Sequence, residues 1–192
     1  MITKEGFQEW STLRTSKDGK GTKLILKPTE TGEVIFQMAK QNGTIKNGPQ
    51  TLPTFDYKNS SFFGFTDIEM AKIVRTIEKQ FINYSLSTEE LVPELVFPHM
   101  NSKVPKTIKF AFTIYNGKLQ CTLSCLFSEG AVTNMTIYLN EEEIECIKEI
   151  CRTQYTFSSS RILNEYFDNL KFKAAVMETL YQITEKLGVD NE

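Results

Sequence analysis

The feature that most constrains this chain is an internal repeat. "FFGFTDIEMAKIVRTI", starting at Phe62, and "TIYLNEEEIECIKEIC", starting at Thr136, lie 74 positions apart. Each has an apolar strand-like end, a Thr or Asn, and a Glu three residues beyond it. Thr66 and Asn140 read as N-caps, with Glu69 and Glu143 completing capping boxes. The same offset lays "EVIFQMAKQNGTI" (33–45) over "TIKFAFTIYNGKL" (107–119) without a gap. The windows 33–45 and 62–81 share six identities with 107–119 and 136–155: Phe36/Phe110, Asn42/Asn116, Gly43/Gly117, Glu69/Glu143, Ile73/Ile147 and Gln80/Gln154. Chance at ordinary residue frequencies gives about two. Self-similarity at a fixed spacing constrains the whole fold, and two copies point to a pseudo-symmetric pair.

Each copy reads as strands followed by a helix. Val34, Phe36 and Met38 alternate, as do Ile108, Phe110, Phe112 and Ile114, so each run is a strand with one buried face. Asn42-Gly43 and Asn116-Gly117 are expected to turn two-residue hairpins, because both central residues must take positive φ. The returning strands are then 44–49 and 118–127, the second with Leu119, Cys121, Leu123 and Cys125 on one face. A strand at 21–28 precedes the first copy, and its counterpart near 91–100 is poorly matched and carries prolines. Helices are expected over roughly 67–83 and 141–154. A third, 160–187, would be capped by Ser158, Ser159 or Ser160 and stopped by Gly188, with Leu163, Phe167, Leu170, Val176, Leu180 and Leu187 among its apolar positions. The expected fold class is α+β: two tandem ββββα repeats forming antiparallel sheets packed with helices, plus a C-terminal helix. A single pseudo-symmetric domain, 1–192, would hold repeat one at about 17–84, a linker at about 85–105, repeat two at about 106–155 and the C-terminal helix at about 160–187.

The layout resembles the Whirly fold, and its single-copy relatives, the single-stranded-DNA-binding transcriptional coactivators, which dimerise. "GFTDIEMAKI" and "YLNEEEIECI" resemble that family's strand-to-helix junctions. "KDGKGTKLIL" (17–26) resembles its lysine- and glycine-bearing first strand. The resemblance covers about 17–155 and departs at the poorly matched first strand of the second copy and at the terminal helix. It implies binding of single-stranded nucleic acid on sheet surfaces or edges, often by cyclic homo-oligomers.

The residues themselves admit that chemistry. Lysines contact phosphates and aromatic rings stack on unpaired bases, with no base-specific hydrogen bonds needed. Lys20, Lys23 and Lys27 sit on or beside the first strand. Lys109 and Tyr115 lie opposite the Phe110 and Phe112 face, and Lys40, Lys46, Lys106 and Lys118 flank the expected hairpins. Trp10, Phe55 and Tyr57 fall in segments read as irregular and are candidate stacking rings. Against this stands the plainer reading, in which the rings pack on the core and the lysines keep edge strands soluble. Recurrence of lysines at corresponding hairpins favours function. The net charge of −2 hides an uneven distribution: 101–126 holds four lysines and no acid, whereas 141–149 holds Glu141, Glu142, Glu143, Glu145 and Glu149 against Lys148. That acidic helix is a candidate contact for a basic protein partner.

Enzyme and metal readings fare worse. The one histidine, His99, has no nucleophile or acid at a recognised spacing. "DGKGTK" lacks the spacing of a phosphate-binding loop. Cys121, Cys125, Cys146 and Cys151 match no usual zinc spacing, and the last two fall on different faces of a helix, so they read as small hydrophobes. Acids at the start of a helix are explained by capping and the helix dipole. The expectation is a non-catalytic protein with no cofactor. No apolar run is long enough to span a membrane, and "MITKEGFQEW" lacks a signal-peptide core, so a cytoplasmic setting with reduced thiols is expected. The leading reading is a sequence-independent single-stranded DNA or RNA binding homo-oligomer serving replication, recombination or transcription. Its rivals are a protein–protein assembly module on the same fold and a duplicated clamp around duplex DNA.

Overall fold

The computed structural model describes residues 9–15, 21–86, 94–99, 105–127 and 134–186. In chain order the elements are β1 (Trp10–Arg14), β2 (Thr22–Pro28), β3 (Val34–Asn47), β4 (Gln50–Phe55), β5 (Ser61–Phe65), α1 (Asp67–Ser85), β6 (Leu95–His99), β7 (Lys106–Tyr115), β8 (Lys118–Phe127), β9 (Met135–Leu139) and α2 (Glu141–Lys186). The chain is thus α+β, with two antiparallel sheets and helices after each. The first sheet runs β1-β2-β3-β4 with β5 also on β3, and the second runs β6-β7-β8-β9. Where the sequence suggests one domain, contacts separate two compact units, 1–155 and 156–192. All the pseudo-symmetric elements lie in the first.

The two strand-to-helix junctions form as expected. Thr66 accepts from the Glu69 backbone N–H, and the Glu69 carboxylate accepts from the Thr66 N–H at 2.9 Å. Asn140 and Glu143 do the same, at 2.9 Å in both directions. Each reciprocal cap satisfies two of the four orphan N–H groups at a helix start. Met70, Ile73, Ile77 and Gln80 on α1, and Ile144, Ile147, Cys151 and Gln154 on α2, occupy matching positions and are buried. Glu78 and Arg152 are also matching positions, and they form an ion pair with each other. A position that meets its own counterpart lies on the axis relating the halves. In a homodimer it would face its own copy, whereas duplication lets opposite charges meet there.

The strand alignment, by contrast, is corrected by the pairing. Counted across the sheets, β1, β2, β3 and β5 are the counterparts of β6, β7, β8 and β9. Leu24 and Leu26 stand where Ile108 and Phe110 do, and Val34, Phe36 and Met38 stand where Cys121, Leu123 and Cys125 do. The gapless match of 33–45 to 107–119 therefore aligns strands that are not equivalent. Alternation has period two, so one buried strand fits another in many registers, and only the capped junctions fix the frame. Asn116 and Gly117 do turn the β7–β8 hairpin, at φ +50° and +69°. Asn42-Gly43 does not turn. β3 runs through it with a bulge at Gln41–Gly43, and the turn comes at Gly48-Pro49, with Gly48 at φ +61°. The expected return strand 44–49 is thus mostly outgoing strand, and β4 has no counterpart among the described residues of the second half.

Three further expectations are corrected. Trp10 and Phe55 lie in strands β1 and β4, not in irregular chain. The poorly matched segment forms the edge strand β6, inside the expected linker, where Pro98 is tolerated because an edge strand leaves one side unpaired. No break separates α2 from a third helix: Glu141–Lys186 is one helix through Ser158–Ser160, since three serines disfavour a helix only weakly. Lys20, Leu187 and Gly188 lie outside the described residues.

The inner faces of the two sheets share one core. β9 touches β1, β2 and β3, so it crosses the first sheet steeply, as in orthogonal sheet packing. On the opposite side Phe65 of β5 meets Phe97 and Phe110, with ring centroids 5.1 and 6.3 Å away. Cys121, Cys125 and Cys151 are buried in the core, the Cys125 thiol donating to Ser61 Oγ at 3.5 Å, and burial pushes the Cys151 thiol up to about 12. Cys146 is exposed.

Candidate functional site

The nine strands contain Arg14, Lys23, Lys27, Lys40, Lys46, Lys106, Lys109 and Lys118, and not one Asp or Glu. The acids of the described chain all lie in helices, turns and connecting segments. Strands disfavour carboxylates in general, but that preference depletes lysine as well. The strands therefore contribute only positive side chains, of which Arg14, Lys27 and Lys109 pair with Glu143, Glu9 and Glu94 from outside the strands.

Among the described residues, the outer face of the second sheet carries exposed and half-buried side chains. Register places Lys109 beside Ser124, Ala111 beside Thr122, Thr113 beside Gln120 and Tyr115 beside Lys118. On β9, Tyr138 stands beside Thr122 and Thr136 beside Ser124. Tyr115 and Tyr138 are each 60% exposed. Lys109 to Tyr115 spans about 20 Å of strand. The face therefore offers two upright phenol rings, two ammonium groups and a field of hydroxyl and amide side chains. Among the described residues, Glu94 lies 2.6 Å from Lys109 and pairs with it.

The hairpin carrying Tyr115 and Lys118 is held from both helices. The Tyr84 hydroxyl donates to the Gly117 carbonyl at 2.6 Å, and the Leu119 N–H donates to the Glu141 carboxylate at 2.8 Å. Glu141 is thus part of the acidic helix start that the sequence offers as a partner contact, and here it fixes a turn. Farther along, Glu145 and Glu149 pair with Lys148, and Glu149 and Glu78 with Arg152.

The outer face of the first sheet is different. Ile25, Gln37 and Ala39 are buried there. Segment 56–60 lies across it: the Gln37 amide donates to Ser60 Oγ at 2.8 Å, and the Lys23 ammonium sits 5.8 Å from the Tyr57 ring centre. Asp56 holds the segment by accepting from the Lys58 and Asn59 backbones and the Asn59 side chain. Those Asn59 hydrogen bonds keep its carboxyl below the usual range. Lys27 faces Glu9 at 3.7 Å. Lys23 and Tyr57 are therefore brought together, but not on the surface that carries Lys109, Tyr115 and Lys118.

The remaining candidates scatter. Lys106 points inward and donates to the Phe62 carbonyl, with burial lowering its pKa. Lys40 is half-buried at the base of the β3–β4 hairpin, and Lys46 is exposed near its tip. Trp10 packs against the core, and Phe55 is partly buried. Tyr138 was missed by the sequence reading, which treated β9 as an approach to the helix; its alternation with Ile137 and Leu139 was the available signal. Among the described residues no cluster of three or more His, Cys, Asp or Glu is arranged to hold a metal, and no helix is long and apolar enough to cross a membrane.

Two crossed sheets, each followed by a capped helix and joined in one chain, define a Whirly-like fold. Among solved structures, WHY1 from Arabidopsis thaliana is similar over 90% of this chain and 94% of its own, at a TM-score of 0.52 and 14% identity. The plant transcriptional regulator PBF-2 is similar over 83% of this chain and 96% of its own, at 0.48 and 15%. No family model and no curated protein matches the sequence. At such identity the likeness establishes the fold alone.

Proposed function

We propose that this protein binds single-stranded nucleic acid without sequence preference, on the outer face of the second sheet. The observation that carries the reading is that face: Tyr115 and Tyr138 upright and exposed, Lys109 and Lys118 beside them, and no carboxylate on its strands. Every base has a flat face, so ring stacking tolerates any sequence, and lysines follow the phosphates. Hydroxyl and amide side chains between the rings give further contacts to phosphate and sugar. WHY1 and PBF-2 add support at the level of fold, and PBF-2 is described as a transcriptional regulator. Service in replication, recombination or transcription, as a homo-oligomer, fits such a surface.

Fluorescence anisotropy with labelled single-stranded and duplex oligonucleotides at two salt concentrations tests this. Affinity for the single strand should fall with salt, with a slope of about 0.7 per phosphate neutralised. Replacing Tyr115 and Tyr138 together by alanine should weaken single-strand binding at least tenfold, since each stacked base contributes about 1–3 kcal/mol. Absence of salt-sensitive single-strand binding would leave the protein–protein assembly module as the better reading.

A further inference from the structure

The β3–β4 hairpin has no counterpart among the described residues of the second half, and the face proposed above does not use it. Beyond Gln41, β3 has left β2 and β5 and pairs only with β4, in the register Gly43 with Thr54, Thr44 with Pro53, Ile45 with Leu52, Lys46 with Thr51 and Asn47 with Gln50. It is a two-stranded ribbon, about 16 Å from base to turn. Its side chains are largely exposed, including Ile45 at 58% and its cross-strand partner Leu52 at 41%. From Val34 through Phe55 there is no acid, and between Phe36 and Phe55 no aromatic ring.

We infer that this ribbon takes double-stranded DNA, gripping the duplex flank of a single-stranded tract; the single-strand part of the inference rests on the reading above. Three features favour a duplex over a single strand here. A platform for unpaired bases needs flat rings, and the ribbon has none. A two-stranded β-ribbon has the width that the major groove of B-DNA admits. The exposed groups are short hydrogen-bonding side chains, Asn42, Thr44, Asn47, Gln50 and Thr51, with Lys46 for a phosphate and an aliphatic pair, Ile45–Leu52, for thymine methyls or the groove wall. Gly48 at φ +61° and Pro49 make the tip compact and stiff, so little order has to be gained on insertion. The bend at the Gln41–Gly43 bulge turns the ribbon out of the sheet plane, as bulges do.

The test compares three labelled probes at one salt concentration: a single strand of about 16 nucleotides, a blunt duplex, and that duplex bearing the same single strand as a tail. The natural protein should bind the tailed duplex about tenfold or more tightly than the single strand, the gain expected of one good groove contact. Lys46→Glu, and separately Ile45→Ser with Leu52→Ser, alter only exposed positions and should bring that ratio close to one. Single-strand affinity should stay within about twofold, as for other contacts far from the altered site. Circular dichroism of each variant checks that the sheet is intact. Equal affinity of the natural protein for the tailed duplex and the single strand, or equal losses on both in the variants, overturns the inference while leaving the single-strand reading in place. Duplex binding that the ribbon variants abolish, with no single-strand binding at all, does the reverse. Failure to bind any probe ends both.

Discussion

The two halves of this molecule solve the same packing problem with different side chains. Where β5 lies over β6 and β7, the contact is aromatic: Phe65 is wholly buried among Phe36, Phe63, Phe97 and Phe110. Where β9 lies over β1, β2 and β3, the counterparts are Leu139, Leu123, Ile137 and Leu26, with Thr12 in the place of Phe97. The halves differ outwardly too. The first carries the ribbon and the segment across its sheet, and the second shows neither among the described residues. Duplication inside one chain frees each copy to change separately, which a homodimer forbids.

The core contrast is the first thing to break. Phe65→Ala should cost about 3–5 kcal/mol, near the top of the range for buried aromatic truncation, because four phenyl rings and the His99 imidazole lose a partner. Leu139→Ala should cost about 2–4 kcal/mol. Urea denaturation of both variants checks the order, and a larger loss at Leu139 would mean that the aliphatic contact holds the sheets together.

Next in size is the difference between the two capping glutamates. Glu69 caps its helix alone, whereas Glu143 also accepts from Thr12 and Arg14, the Arg14 Nη1 contact measuring 3.0 Å. Glu143→Ala should cost about 1–3 kcal/mol, a lost cap plus a buried hydroxyl partner and a partly exposed ion pair. Glu69→Ala should cost about 1 kcal/mol. Burial raises the Glu143 pKa, but hydrogen bonds from Arg14, Thr12 and the Asn140 backbone N–H outweigh it, and the net shift is downward from 4.5. A lowered folded-state pKa gives stability that is complete above the unfolded value and is lost as the pH falls through the folded one. Natural protein and Glu143→Gln should therefore differ most at neutral pH and converge as the pH falls below 4.5; a pH series of melts reads this directly.

The smallest effect is at the outer edge. Gly64 and Tyr138 are counterparts, and a side chain at Gly64 would meet nothing within 4 Å. Gly64→Thr should raise stability by about 0.5 kcal/mol, by restricting the unfolded chain and favouring the strand. A loss on thermal melting would show that something crosses that edge.

Much of this layout was readable from local chemistry. Thr66 with Glu69 and Asn140 with Glu143 declare helix starts because a cap involves only four consecutive residues. Asn116-Gly117 declares a turn for the same reason, and Leu119, Cys121, Leu123 and Cys125 a buried face. Asn42-Gly43 is equally good turn chemistry, yet β3 passes through it, because the better turn at Gly48-Pro49 and pairing with β4 outweigh a dipeptide preference.

The sequence by itself determined the capped helices, the alternating strands, the doubled plan and the absence of acid from the strands, since each depends on residues close together along the chain. Only the tertiary structure decided which strands correspond, that β4 has no counterpart among the described residues, that Lys106 turns inward, and that Lys109, Tyr115, Lys118 and Tyr138 share a face while Lys23 and Tyr57 lie on another. Those outcomes rest on strand pairing between distant segments, and a period of two leaves the choice of partner and register to the packing of the whole core.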